Sequence, residues 1–151
     1  MVCSRFKYYL CRQRYSMKKN SFSNSRHEKD IVKTEFPLKR IKSIWKQLLN
    51  IDWSSKDIYI KNKKIKIVNG DEAKTKFDMD FVEGGNHEAY NFIPEDELWI
   101  DFNIDKHEYP FIAMHEFIES TLILKHNFSY EIAHKFANFY EKLIRLKIIT
   151  I

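Results

Sequence analysis

Phe111-Ile-Ala-Met-His-Glu-Phe-Ile-Glu-Ser-Thr-Leu-Ile-Leu124 is the stretch on which the reading of this chain turns. Phe111, Ile112, Met114, Ile118, Leu122 and Ile123 recur at the spacing of a buried helix, and at about 100° per residue His115 and Glu119 fall between them. Two ionisable side chains therefore point where apolar ones point. Burying an unpaired carboxylate costs several kcal/mol or more, so this pair requires a metal ion, a hydrogen-bond network or a water-filled cleft.

Four residues apart on a helix, His115 and Glu119 share a face and can bind one divalent ion, the geometry that makes HExxH a zinc motif. A carboxylate can replace the second imidazole because oxygen ligands also suit zinc. Glu116 sits about 100° around from His115, where a metalloprotease places its general base. A third ligand is still required. His134, nineteen positions after His115, is the leading candidate, and Glu141 could instead ligate or orient His134 from outside. His87, beside two glycines, and His126 are further candidates. The competing reading is structural: a histidine within an apolar helix can be a hydrogen-bonded core residue, Glu119 can pair with a lysine, and His134, Asn138 and Glu141 can form a solvated face.

The surroundings of this helix are legible in both directions. Pro110 opens it, and it ends around His126-Asn127. Ser129 is an N-cap for a second helix to about Arg145, and so short a link predicts an antiparallel hairpin. On that second helix Tyr130, Ala133, Phe136, Ala137, Tyr140 and Leu143 form the apolar side, with His134 at its edge. Upstream, Leu98–Phe102 predicts a strand, placed as an edge strand beside the His115 helix. Phe77–Val82 predicts another strand, and Glu83-Gly84-Gly85-Asn86-His87 a tight loop. Asp57–Lys61 and Lys64–Val68 predict a hairpin, with a short helical turn at Asp71–Lys76. Pro37 then opens an amphipathic helix whose Leu38, Ile41, Ile44, Trp45, Leu48 and Leu49 repeat at helical spacing, with Lys39, Arg40, Lys42 and Lys46 outside. Packing on the domain is its expected fate, ahead of docking on a membrane surface.

The N-terminal third differs in kind. Residues 1–50 hold thirteen Lys/Arg against three acids, whereas residues 51–151 hold thirteen against eighteen, so the net charge of +5 conceals a basic end and an acidic body. Residues 1–33 predict a flexible basic tail and 34–151 a single domain, long enough to bury a core without disulfides. Cys3 and Cys11 have no second pair for a zinc knuckle and predict reduced thiols in an intracellular compartment. The acid-free residues 1–27 also fit the composition of an organellar transit segment, or a tail that touches an acidic partner such as nucleic acid. No apolar run approaches the roughly 20 residues of a membrane span.

Several motifs together resemble a family. Asp80-Phe-Val-Glu-Gly-Gly-Asn-His87, Tyr90-x-Phe-Ile-Pro-Glu95, Glu97-Leu-Trp-Ile-Asp101, His115-Glu-x-x-Glu119, Ser129-Tyr130, Ala133-His134 and Glu141 are similar to a family of small bacterial, phage and large-virus proteins, over about residues 57–145. The resemblance implies a minimal zincin-type metal-dependent hydrolase without an established substrate. That family's glycine loop often carries two histidines where this chain has Asn86-His87, which leaves His87 as a candidate for contact with substrate.

These readings combine into an α+β domain with a small, mostly antiparallel sheet, packed by the 38–49 helix and by a 110–125/129–145 helix hairpin. The functional expectation is a zinc-dependent hydrolase of a peptide or amide bond, with His115, Glu119 and His134 as ligands and Glu116 as base. The alternative is a non-catalytic binding protein whose His/Glu cluster is a structural metal or hydrogen-bonded site, with a basic tail for an acidic partner.

Overall fold

The computed structural model of the chain describes residues 26–150. The expectations for Cys3, Cys11 and the basic stretch before Arg26 lie outside the described residues. In chain order the elements are α1 (Arg26–Glu35), α2 (Leu38–Leu49), β1 (Ile58–Ile60), β2 (Lys63–Val68), α3 (Gly70–Lys76), β3 (Gly84–Asn86), β4 (Glu97–Asp101), α4 (Tyr109–His126) and α5 (Tyr130–Arg145). They make an α+β fold in which a mixed four-stranded sheet carries the N-terminal helices and the α4–α5 pair on one face.

Helical structure is present earlier in the chain than the sequence suggests. Residues 26–33, placed in the tail, are helical, because Val32 of α1 and the following Phe36 bury themselves in the main core. The Tyr140 hydroxyl, on α5, donates to the Phe36 carbonyl over 2.8 Å and ties this entry segment to the C-terminal helix. With only Ile31 and Val32 apolar among its ten residues, α1 offers too little periodicity to be recognised alone. α2 is as expected: Ile41, Ile44, Trp45 and Leu48 are buried, and Lys39, Lys42 and Lys46 face solvent.

β1 and β2 form the anticipated hairpin, Ile58 opposite Ile65 and Ile60 opposite Lys63, across a two-residue turn in which Lys61 takes a φ of 54°. The next pairing departs from expectation. β4 runs parallel to β2, from Lys64 beside Glu97 to Val68 beside Asp101, so the sheet order is β1-β2-β4-β3 and the sheet is mixed. β4 is thus interior, and the edge strand beside the His115 helix is β3, antiparallel to β4. The glycine stretch read as a tight loop is that strand. Neither Gly84 nor Gly85 has a positive φ; glycine is required by proximity instead. A Cβ on Gly84 would sit 2.6 Å from Ile112 Cγ2, and one on Gly85 would sit 2.5 Å from the Tyr90 ring.

Phe77–Val82, read as a strand, is irregular chain, because its aromatic residues serve a small second core on the other face of the sheet. Phe81, Tyr90 and Ile93 pack there with Phe92 and Trp99, and Phe77 stacks on Phe92 with centroids 4.8 Å apart. On the main face Ile58, Ile60, Ile65, Leu98 and Ile100 meet the helices.

α4 lies between sheet, α2 and α5, and every residue from Ala113 to Ser120 is buried, so polar groups on it cannot reach bulk water by rotation. Its C-terminus closes on Asn127 in the left-handed conformation (φ 56°), and the Ser129 hydroxyl accepts from Ile132 N over 3.4 Å to start α5. Ile132, Ala133, Ala137, Tyr140 and Ile144 are buried on α5, with Tyr130, Phe136 and Leu143 at the margin. Among the described residues no helix is long and apolar enough to cross a membrane.

Candidate metal centre

The antiparallel α4–α5 hairpin sets His134 against His115 and Glu119, one turn apart on α4. The His134 Nδ1 lies 2.7 Å from Glu119 Oε2 and 3.1 Å from His115 Nε2, and those two atoms are 3.4 Å apart. Three donors from two helices therefore converge on one point, the arrangement in which a metal ion can be held. Four ligands around tetrahedral zinc, with bonds of about 2.0–2.1 Å, stand roughly 3.3–3.4 Å from one another, so His134 need draw back only from Glu119 and slightly from His115 to admit the ion. Glu119 is wholly buried, His115 6% exposed, and the His134 side chain 15% exposed, which makes His134 the side of the cluster nearest solvent.

His115 is oriented from behind. Its Nδ1 lies 3.0 Å from Glu141 Oε2, which fixes the ring so that Nε2 faces Glu119 and His134. Arg145 Nε donates to Glu141 Oε1 over 2.8 Å, and the same guanidinium reaches Glu108 and covers the Phe111 ring. Glu141 thus orients His115 rather than His134, a correction to the sequence reading. A carboxylate that holds a ligating imidazole by its other nitrogen is a regular companion of metal sites. Burial by itself would lower the His115 pKa. Hydrogen bonds donated to Glu119 and Glu141, with the charges of Glu119 and Glu116 added, reverse this and raise it to about 10. The pocket is therefore built to attract positive charge.

Glu116 is 1% exposed and turns toward β3. There the Asn86 amide donates to Glu116 Oε2 over 2.6 Å and to Glu119 Oε1 over 2.9 Å. Sequence reasoning assigned Asn86 no role in the site. The signal was the pair of glycines before it, whose missing side chains let β3 approach Ile112 of α4. Tyr130, read as an apolar position and as part of the Ser129-Tyr130 motif, stacks its ring on His134 at 19° and sets its hydroxyl 3.4 Å from His134 Nδ1.

Two candidates fall away from the cluster. His87 Nδ1 lies 2.6 Å from the Ile93 carbonyl oxygen and its Nε2 3.9 Å from Glu95. His126 Nε2 lies 2.9 Å from Glu35, at the far end of α4. Neither joins the converging group. The motif residues Tyr90, Glu97 and Asp101 are structural: the Tyr90 hydroxyl donates to the Asp80 carbonyl, Glu97 accepts from the Trp99 indole, and Asp101 accepts from Gly70 N.

No protein-family model matches the chain, and no curated protein or solved structure matches it. The resemblance to zincin-type hydrolases accordingly rests on the motif residues themselves.

Proposed function

We propose that His115, Glu119 and His134 hold a divalent metal ion, zinc by their donor types, and that the protein is a minimal zincin-like hydrolase of peptide or amide bonds. The observation that supports this reading is the meeting of two imidazole nitrogens and a carboxylate oxygen at mutual distances of 2.7–3.4 Å where two helices pack. A bound zinc ion supplies Lewis acidity and lowers the pKa of water. Glu116, next to His115 in sequence and buried beside Glu119, is the base that takes the proton. In this reading Tyr130, whose hydroxyl lies 3.4 Å from His134 Nδ1, serves as a donor to a substrate oxygen. The substrate is a peptide or small amide.

The test is Glu116→Gln assayed with zinc-loaded protein on fluorescein-labelled casein and a fluorogenic peptide library. The expected result is unchanged zinc content with hydrolysis reduced by at least ~100-fold. Equal hydrolysis by the variant would remove Glu116 as the base.

A second reading has its own support. The raised His115 pKa suits a charged imidazolium held between Glu119 and Glu141, a hydrogen-bonded structural cluster in a non-catalytic binding protein. Such a protein contains no metal after purification and its melting temperature ignores EDTA.

A further inference from the structure

The geometry points to Asn86 as the positioning residue of this centre: one neutral amide nitrogen that holds the candidate ligand Glu119 and the candidate base Glu116 while bringing no charge of its own. The inference rests on the metal-binding reading. Asn86 is wholly buried. Its two amide hydrogens are matched by two acceptors, Glu116 Oε2 at 2.6 Å and Glu119 Oε1 at 2.9 Å. Its Oδ1 accepts from Ala89 N over 3.1 Å, and its backbone carbonyl accepts from Ala89 N and Tyr90 N. The orientation of the amide is thereby fixed, since a flipped group would aim its oxygen at two carboxylates and its nitrogen at an N–H.

Two consequences follow from the atoms used. Asn86 takes Oε1 of Glu119, so the oxygen turned toward His134 and His115 is Oε2, and the carboxylate is steered to present a single oxygen to an ion. The choice of an amide also matters chemically. A lysine or arginine at this position could donate as well, but its charge would neutralise the carboxylates and oppose a cation. An aspartate would repel both carboxylates and donate nothing to them. Asparagine donates twice from one atom at no charge. The chain shapes itself to bring that atom there: β3 is anchored to β4 by the Asn86–Leu98 register, and Gly84 and Gly85 remove the side chains that would hold the strand off Ile112 and Tyr90.

The deciding experiment titrates Zn²⁺ into full-length wild type, Asn86→Ala and Ser129→Ala in competition with a chromophoric chelator, with metal-free melting temperatures measured alongside. Asn86→Ala is expected to bind zinc about 10–100-fold more weakly, the loss typical of an outer partner of a ligand. Ser129→Ala, which removes only a helix cap, is expected to keep wild-type affinity within about twofold despite a lower melting temperature. Wild-type affinity in Asn86→Ala would overturn the assignment while leaving the metal site standing. Absence of zinc binding in the wild type would overturn both. Should Asn86→Ala not fold, the side-chain amide signals of Asn86 in ¹⁵N-labelled wild type decide. Both protons shift on addition of Zn²⁺ if the carboxylates they hold engage the ion, and unmoved signals contradict the proposal.

Discussion

Of the carboxylates buried at α4, Glu35 and Glu119 keep company opposite in character. Glu35, 7% exposed at the end of α1, is met by the cations Arg40 and Lys125, the latter over 2.8 Å, and by the His126 ring over 2.9 Å. Glu119, about two turns along α4 from His126, is met by the neutral Asn86 amide and by the rings of His134 and His115. Glu35 has its countercharge supplied by the chain, whereas Glu119 sits among groups that could hold a metal ion with it. The Glu35 cluster borders a depression of about 490 Å³ that also touches Lys61, Lys63 and Asp96. The volume of a depression does not mark a metal site; the donor types and their convergence do.

The contrast can be broken most sharply at the ligands themselves. Glu119→Gln and His134→Ala are each expected to weaken zinc binding by more than ~100-fold, whereas Glu35→Gln leaves it within about twofold; competition titration reads both. A comparable loss in Glu35→Gln would mean the two clusters are one electrostatic unit. Next in size, Glu141→Gln is expected to cost about 10–100-fold in zinc affinity, because it loosens the ring of His115 without removing a donor. The same affinity as wild type would reduce Glu141 to an anchor for Arg145.

For Glu35 the readout is folding rather than binding. Burial alone would raise its pKa, but the hydrogen bonds from Lys125, His126 and Arg40 outweigh this and lower it from 4.5 to about 2. A carboxylate depressed in the folded state contributes stability that is full above pH 4.5 and is lost as pH falls toward 2. Urea unfolding should therefore show Glu35→Gln about 1–2 kcal/mol less stable than wild type near neutrality, a figure discounted for the solvent-facing cations, with the gap closing across that acid window. A gap independent of pH would assign the loss to packing. Smallest, Ser129→Ala should cost about 1 kcal/mol in stability through the lost cap.

Legibility in the sequence divided along the same line. The α4–α5 hairpin, α2 and the β1–β2 hairpin carry local signals, namely apolar periodicity, Pro110, Ser129 and the alternation around Ile58–Val68, and these elements appear where the signals place them. The convergence of His115, Glu119 and His134 was legible because each lies on one of two adjacent antiparallel helices. What the sequence concealed depends on partners distant in the chain. The parallel pairing of β4 with β2 spans more than thirty residues, from Val68 to Asp101, and no local pattern encodes it. β3 was misread because its glycines suggest a turn, while their reason is the close approach of Ile112 and Tyr90. Asn86 then went unnoticed, since an asparagine beside glycines ordinarily marks a turn. Glu35 has no sequence neighbour that announces Lys125 or His126, ninety residues on.

The central claim is that Glu119 and its two histidines are completed by a metal ion as Glu35 is completed by the chain. Elemental analysis of the purified full-length protein, before and after dialysis against EDTA and beside Glu119→Gln, tests it most directly. The account predicts about one zinc per chain in the wild type, lowered melting after EDTA, recovery on adding Zn²⁺, and no zinc in Glu119→Gln. A wild type that carries no metal, binds none on titration and melts at the same temperature with or without EDTA would contradict it.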